Sequence, residues 1–211
     1  MRVGKFASGK DDLQTCKPAY LLPMIRKPKP RQRSGDYRIF IGAFPDGDLA
    51  DQIQSIRQAY DPQTAVITPP HVTLAGTYWR HGPPTAQNEA ELIARLEGMT
   101  GKIKAFNLEL GGIRTFGRRV AYLGVKPTDD LLKVRDTLLR LAGRDKQRRF
   151  TPHLTLAMRL NQADMATMVT ELQTSEWENG RFPAPIHELR LMQRGPDDSA
   201  WRTIYALPLK R

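Results

Sequence analysis

The sequence predicts an α+β fold of two pseudo-symmetric lobes, each an antiparallel sheet with helices packed outside, with a cleft between them. Three observations predict it. Two short stretches nearly coincide: Pro70-His71-Val72-Thr73-Leu74-Ala75 and Pro152-His153-Leu154-Thr155-Leu156-Ala157. The segments that follow keep nearly the same offset. The two histidines are 82 residues apart, and Asn107-Leu108-Glu109-Leu110 precedes Glu188-Leu189-Arg190-Leu191 by 81. Around these landmarks, β-prone runs alternate with runs of helical apolar spacing in the same order in both halves. The first copy spans about residues 37–111 and the second about 119–208, inside one duplicated domain over 36–211.

Each element has its own signal. Arg38 to Phe44 alternates as a strand. Asp48 to Tyr60 is helical, with Leu49, Ile53, Ile56 and Tyr60 on one face and Asp48 as its N-cap. Pro69-Pro70 ends the connection, and His71 to Tyr78 is the first motif strand. Pro83-Pro84-Thr85 opens a helix to about Leu96, followed by a strand over Phe106 to Leu110. The second copy starts with the strand Val120 to Val125. Thr128 or Asp129 caps a helix to Ala142, which Gly143 stops. His153 to Met158 is the second motif strand, and Asn161 caps a helix carrying Met165, Met168, Val169 and Leu172. Strands over Glu188 to Leu191 and Thr203 to Leu207 complete the unit.

Composition narrows the class. A chain of 211 residues with 40% hydrophobic content can bury a core. Mean hydropathy is −0.50, and no apolar run reaches the length of a membrane span. One cysteine, Cys16, excludes an internal disulfide and fits a reducing, cytoplasmic compartment. Net charge is +11. Residues 1–35 hold nine Lys/Arg against two acids and contain Ile25-Arg26-Lys27-Pro28-Lys29-Pro30-Arg31-Gln32-Arg33, which reads as a flexible, extended basic arm. Such a field favours polyanions such as RNA.

The motifs carry the chemistry. On a strand, residues i and i+2 share a face, so each His-x-Thr presents one imidazole and one hydroxyl together. Imidazole titrates near neutrality, so one ring can take a proton while its partner gives one. Threonine hydroxyls can bind the non-bridging oxygens of a phosphodiester between them. Neither motif has a carboxylate within two residues on its strand, and His-Glu-x-x-His, Cys-x-x-Cys and nucleotide-cradling glycine loops are absent. His81 and His187 lack the threonine partner and read as surface or structural residues. Tyr78, Trp79 and Phe116 are placed to stack on a base.

With these residues the chain resembles the two-histidine (2H) phosphoesterase superfamily, and within it the RNA 2′,3′-cyclic phosphodiesterases, also called 2′-5′ RNA ligases. The resemblance covers about residues 37–208. It rests on His71 and Thr73, on Phe150-Thr151-Pro152-His153-Leu154-Thr155-Leu156-Ala157, and on Leu108 to Phe116, where Gly111-Gly112 looks like a glycine turn leading to an aromatic residue. The resemblance implies hydrolysis of RNA 2′,3′-cyclic phosphate ends, or of a related cyclic nucleotide, to a 2′-phosphate. It also implies weak reverse 2′-5′ ligation, and no metal or nucleotide cofactor. His71 would be the acid and His153 the base, with Thr73 and Thr155 on the phosphate. No membrane and no obligate protein partner are implied. Related sequences often place arginine directly after Thr-Leu-x of the second motif, where this chain has Met158 and then Arg159. On a regular strand that shift turns Arg159 to the opposite face, so either a bulge corrects it or another cation binds the phosphate, with Arg149, Arg144, Lys146 and Arg148 as candidates. Two other readings keep the motifs: cleavage of linear 2′-5′ or 3′-5′ oligonucleotides, and a non-catalytic RNA-binding module.

Overall fold

A computed structural model describes residues 36–147 and 149–211. The basic arm, Cys16 and Arg148 lie outside the described residues. The elements run β1 (Asp36–Ala43), α1 (Gly47–Tyr60), α2 (Pro62–Ala65), β2 (Val72–His81), a 3-10 turn (Ala86–Glu89), α3 (Ala90–Glu97), β3 (Phe106–Phe116), β4 (Val120–Val125), α4 (Asp129–Ala142), β5 (His153–Ala157), α5 (Gln162–Gln173), α6 (Glu176–Asn179), β6 (Phe182–Ile186), β7 (Glu188–Arg194) and β8 (Arg202–Pro208).

Local chemistry sets the boundaries. The Thr128 hydroxyl accepts from the Leu131 amide and opens α4, and the Asn161 side chain does the same for α5 through Asp164. The α1 cap differs from expectation. It is Asp46, and its side chain makes no cap bond. Thr85 accepts from the Asn88 amide, but a 3-10 turn precedes α3, so that helix begins only at Ala90. Strand β6 carries Pro183 and Pro185, which lack the donor a central strand needs. It therefore lies at the edge of the sheet.

All eight strands form one antiparallel sheet in the order β6-β3-β4-β5-β2-β1-β7-β8. It curls into a half-barrel. Reversing the order exchanges β2 with β5, β1 with β4 and β3 with β7, which is the two-fold relation of the repeat. The sheets of the two lobes thus join at the motif strands. The copies also interlock: β3, from the first, pairs with β4 of the second, while β7, from the second, pairs with β1 of the first. Helix α1 packs on β5, and α4 packs on β2.

One face of the sheet is sealed by the helices. Val72, Leu74, Leu154 and Leu156 are fully buried there with Ile53, Leu131 and Leu138. Burying such side chains stabilises by about 1.5–3 kcal/mol each. The motif strands share a single ladder pair, Val72↔Leu154. Beyond it they part, and polar side chains occupy the freed edges. On β2, Arg135 donates to the Leu74 carbonyl, Asp145 accepts from the Gly76 amide at 3.3 Å, and Gln147 donates to the Gly76 carbonyl at 3.4 Å. Past the end of β5, Asp61 accepts from the amides of Met158 and Arg159 at 2.9 and 3.0 Å. Buried backbone groups need partners, so these side chains let the strands separate into a cleft.

Candidate active site

Both motifs show one burial pattern: His and Thr half-buried, the intervening Val72 or Leu154 sealed. The two imidazoles and two hydroxyls therefore leave the sheet on the face opposite the helices. At the antiparallel pair Val72↔Leu154, the register sets His71 across from Thr155 and Thr73 across from His153. The histidines therefore sit on a diagonal of this pair, near enough for the charge of His153 to act on His71.

Equivalent hydrogen bonds fix both rings. His71 Nδ1 donates to the Pro69 carbonyl at 2.9 Å, and His153 Nδ1 to the Thr151 carbonyl at 2.8 Å. A carbonyl only accepts, so Nδ1 carries the hydrogen and Nε2 is left for proton transfer in each ring. The Thr73 and Thr155 hydroxyls have no side-chain partner among the described residues.

Aromatic rings pack the histidines differently. His71 stacks on Phe40 at 4.7 Å and Phe44 at 5.4 Å. His153 meets Phe116 and Tyr122 edge-on at 4.8 and 5.2 Å. Burial pushes His71 down to about 4, against the opposing bond to Pro69, and the Arg57 and His153 charges add to the fall. His153 is also lowered, first by burial, with the Thr151 bond opposing. Arg57 is a buried brace: it donates to the Thr68 carbonyl at 2.8 Å and the Thr64 carbonyl at 3.2 Å. It thereby holds the turn whose Pro69 carbonyl orients His71.

Other expected residues fall differently. Phe116 is 40% exposed and stacks on Tyr122 at 4.2 Å, beside His153. Tyr78, expected to stack on a base, is not placed to do so. It pairs with Ile39 on the helix-covered face, is buried, and donates its hydroxyl to the Gly143 carbonyl at 2.6 Å. Trp79, its neighbour, is exposed on the cleft side. Gly111-Gly112 is a bulge inside the continuous strand β3, not a turn. Gly112 takes a positive φ of 76°, and a Cβ on Gly111 would lie 2.3 Å from the Gly180 carbonyl oxygen. Arg149, Arg144 and Lys146 are exposed, and among the described residues no polar contact ties them to the cleft. Arg159 follows the end of β5, in a bend held by Asp61, so strand alternation does not govern it. His81 pairs with Asp36 at 2.7 Å, and His187 is exposed. Among the described residues no group of three or more His, Cys, Asp or Glu could hold a metal.

The family model of the 2′-5′ RNA ligase superfamily matches residues 45–198, which includes both His-x-Thr strands. The chain belongs to this superfamily of 2H phosphoesterases. It is 27% identical over 143 residues to a Bacillus cytotoxicus protein named "Putative phosphoesterase", covering 66% of this chain and 80% of that protein. A Bacillus cereus protein of the same description is 26% identical over 159 residues, covering 74% and 87%. Among solved structures, apo LigT of E. coli superposes with a TM-score of 0.58 at 20% identity, covering 84% of this chain and all of LigT. TT0787 of Thermus thermophilus superposes with 0.54 at 15% identity, covering 82% and 98%. These likenesses establish the fold. No described helix is long and apolar enough to cross a membrane.

Proposed function

We propose that this phosphoesterase opens 2′,3′-cyclic phosphates at RNA ends to 2′-phosphates. The observation that carries the reading is the matched pair of Nδ1 bonds to the carbonyl two residues earlier. They leave two Nε2 atoms and two unengaged hydroxyls on one face. A phosphate between them meets a proton acceptor on one side and a donor on the other. Water attacks phosphorus as one Nε2 takes its proton, and a new P–O bond forms. The bond to O3′ breaks as the other Nε2–H delivers a proton to that oxygen. Thr73 and Thr155 donate to the non-bridging oxygens as charge builds there. Proton exchange with solvent then resets the two rings.

The difference in burial supports His71 as the base and His153 as the acid, the reverse of the order the resemblance implies. His71 packs against two phenyl rings with the Arg57 cation nearby, so its protonated form is the less favoured. His153 has the more open setting. Phe116, exposed beside it, would take the terminal base.

Turnover of 2′,3′-cyclic nucleotides by His71→Ala and His153→Ala tests both parts. Each should lose about 10²–10⁴-fold in kcat while still binding RNA. A substrate whose bridging O3′ is replaced by sulfur needs no acid. It should rescue His153→Ala and leave His71→Ala inactive. Full activity in both variants would overturn the reaction, and rescue of the His71 variant instead would reverse the roles.

A further inference from the structure

The cleft wall beyond His71 carries more aromatic and cationic surface than the reaction uses. Phe40 stacks on His71, and Trp201 meets Phe40 edge-on at 4.7 Å. The Arg38 guanidinium then lies 5.3 Å from the Trp201 ring centre and 5.5 Å from that of Trp79. Planar groups thus run without a break from the catalytic imidazole to an indole that is 41% exposed. Phe40, Phe44 and Met192 form a cluster separate from the main core, with Trp201 only partly buried against it. Two indoles so placed add little to the core.

Like charges meet on this wall. Arg38 sits directly across the β1–β7 ladder from Arg194, and like charges so paired destabilise a sheet. Burial lowers the Arg38 pKa, and the Arg194 charge lowers it further. Arg38 Nε is buried without an acceptor, and Arg194 Nε is spent on the Asp198 carbonyl. Neither guanidinium forms an ion pair with a carboxylate among the described residues. A conflict of this kind, kept on the face that holds the reacting groups, points to an anionic occupant with flat rings.

We propose that this wall is a single-stranded RNA subsite for the nucleotides upstream of the reacting end. Their bases stack on the Trp79 and Trp201 indoles, and their phosphates pair with Arg38 and Arg194. Arg38, clamped between two rings, is oriented before RNA arrives. Stacking on indole accepts every base, so the subsite selects for chain length and not for sequence. The inference takes only the identity of the reacting end from the phosphodiesterase reading, because strand binding itself does not need turnover. An acidic protein surface would satisfy the arginines but leave the ring faces idle.

The test compares a 2′,3′-cyclic mononucleotide with a short oligoribonucleotide ending in the same group. Trp79→Ala should lower kcat/KM for the oligonucleotide about tenfold or more and leave the mononucleotide unchanged. Trp79→Phe should retain most of the oligonucleotide rate, and Arg38→Gln should weaken binding while making it less sensitive to salt. Equal losses on both substrates, or no loss on the oligonucleotide, overturn the subsite. Binding of a 3′-hydroxyl oligonucleotide, read by the fluorescence anisotropy of a labelled strand, separates this failure from that of the reaction. If no cyclic phosphate turns over but Trp79→Ala still weakens binding, the subsite stands and the reaction falls. If wild type does not bind the oligonucleotide, or Trp79→Phe loses as much as Trp79→Ala, an RNA platform is refuted.

Discussion

Asp61→Ala tests how the cleft is held open. Asp61 is 2% exposed and follows α1. One carboxylate oxygen accepts from the Thr64 amide at 3.0 Å; the other accepts from the amides of Met158 and Arg159, 97 and 98 residues away. Burial alone would raise this carboxyl's pKa, but the amide donors outweigh it and hold it below the usual value. A hydrogen bond to a charged group contributes about 1.5–3 kcal/mol. Three such bonds end in this carboxylate, and Met158 is 52% exposed, so water can recover part of the loss. Asp61→Ala should therefore cost about 3–5 kcal/mol. Asp61→Asn, which keeps one acceptor oxygen, should cost about half of that. Denaturant unfolding followed by tryptophan fluorescence measures both. Because the folded pKa is depressed, this contribution is present above the unfolded value and is lost as pH falls through the folded one. A cost below about 1 kcal/mol for Asp61→Ala, or equal costs for the two variants, would refute the argument.

Three further perturbations report on other parts. Asp145→Ala leaves the Arg135 guanidinium, 3.0 Å away, as an unpaired buried charge and frees the Gly76 amide; chemical unfolding should register a loss of about 3–5 kcal/mol. His71 is depressed to about 4 in the folded state, so the unfolded chain binds its proton first. Stability should fall as pH drops from about 6.5 towards 4, by about 1–3 kcal/mol after allowing for partial exposure of the ring. His71→Gln should reduce that slope and leave the part that the lowered His153 contributes, and melts across this range will tell. Gly111→Ala forces a methyl onto the Gly180 carbonyl. It should destabilise by about 1–3 kcal/mol and raise KM through the displaced Phe116.

Much of this was legible in the sequence, because the relevant signals are local. Period-two burial in the motif strands follows from Val72, Leu74, Leu154 and Leu156, and the caps of α4 and α5 from Thr128 and Asn161. What escaped is what the chain joins over distance. Strand β6 was hidden by Pro183 and Pro185, residues that disfavour strands yet sit well at an edge. The exchange of β3 and β7 between halves leaves no mark on either strand. Arg57, Asp61, Arg135 and Asp145 belong to no sequence motif. Their structural role lies in backbone groups up to 98 residues away. A faint signal existed: each copy has an arginine on the helix before its motif and an aspartate after that helix. Plain alternation from His71 already puts Trp79 on its face and Tyr78 on the other, and the two register shifts between β1 and β2 cancel in parity and keep that order.

The most direct measurement is a histidine-selective ¹⁵N NMR titration with a nucleoside 2′-phosphate. Both His71 and His153 Nε2 resonances should move together along one binding curve at one ligand per chain, while both Nδ1 atoms keep their hydrogens. If only one ring responds, or the two saturate at different ligand concentrations, the histidines do not flank a common phosphate.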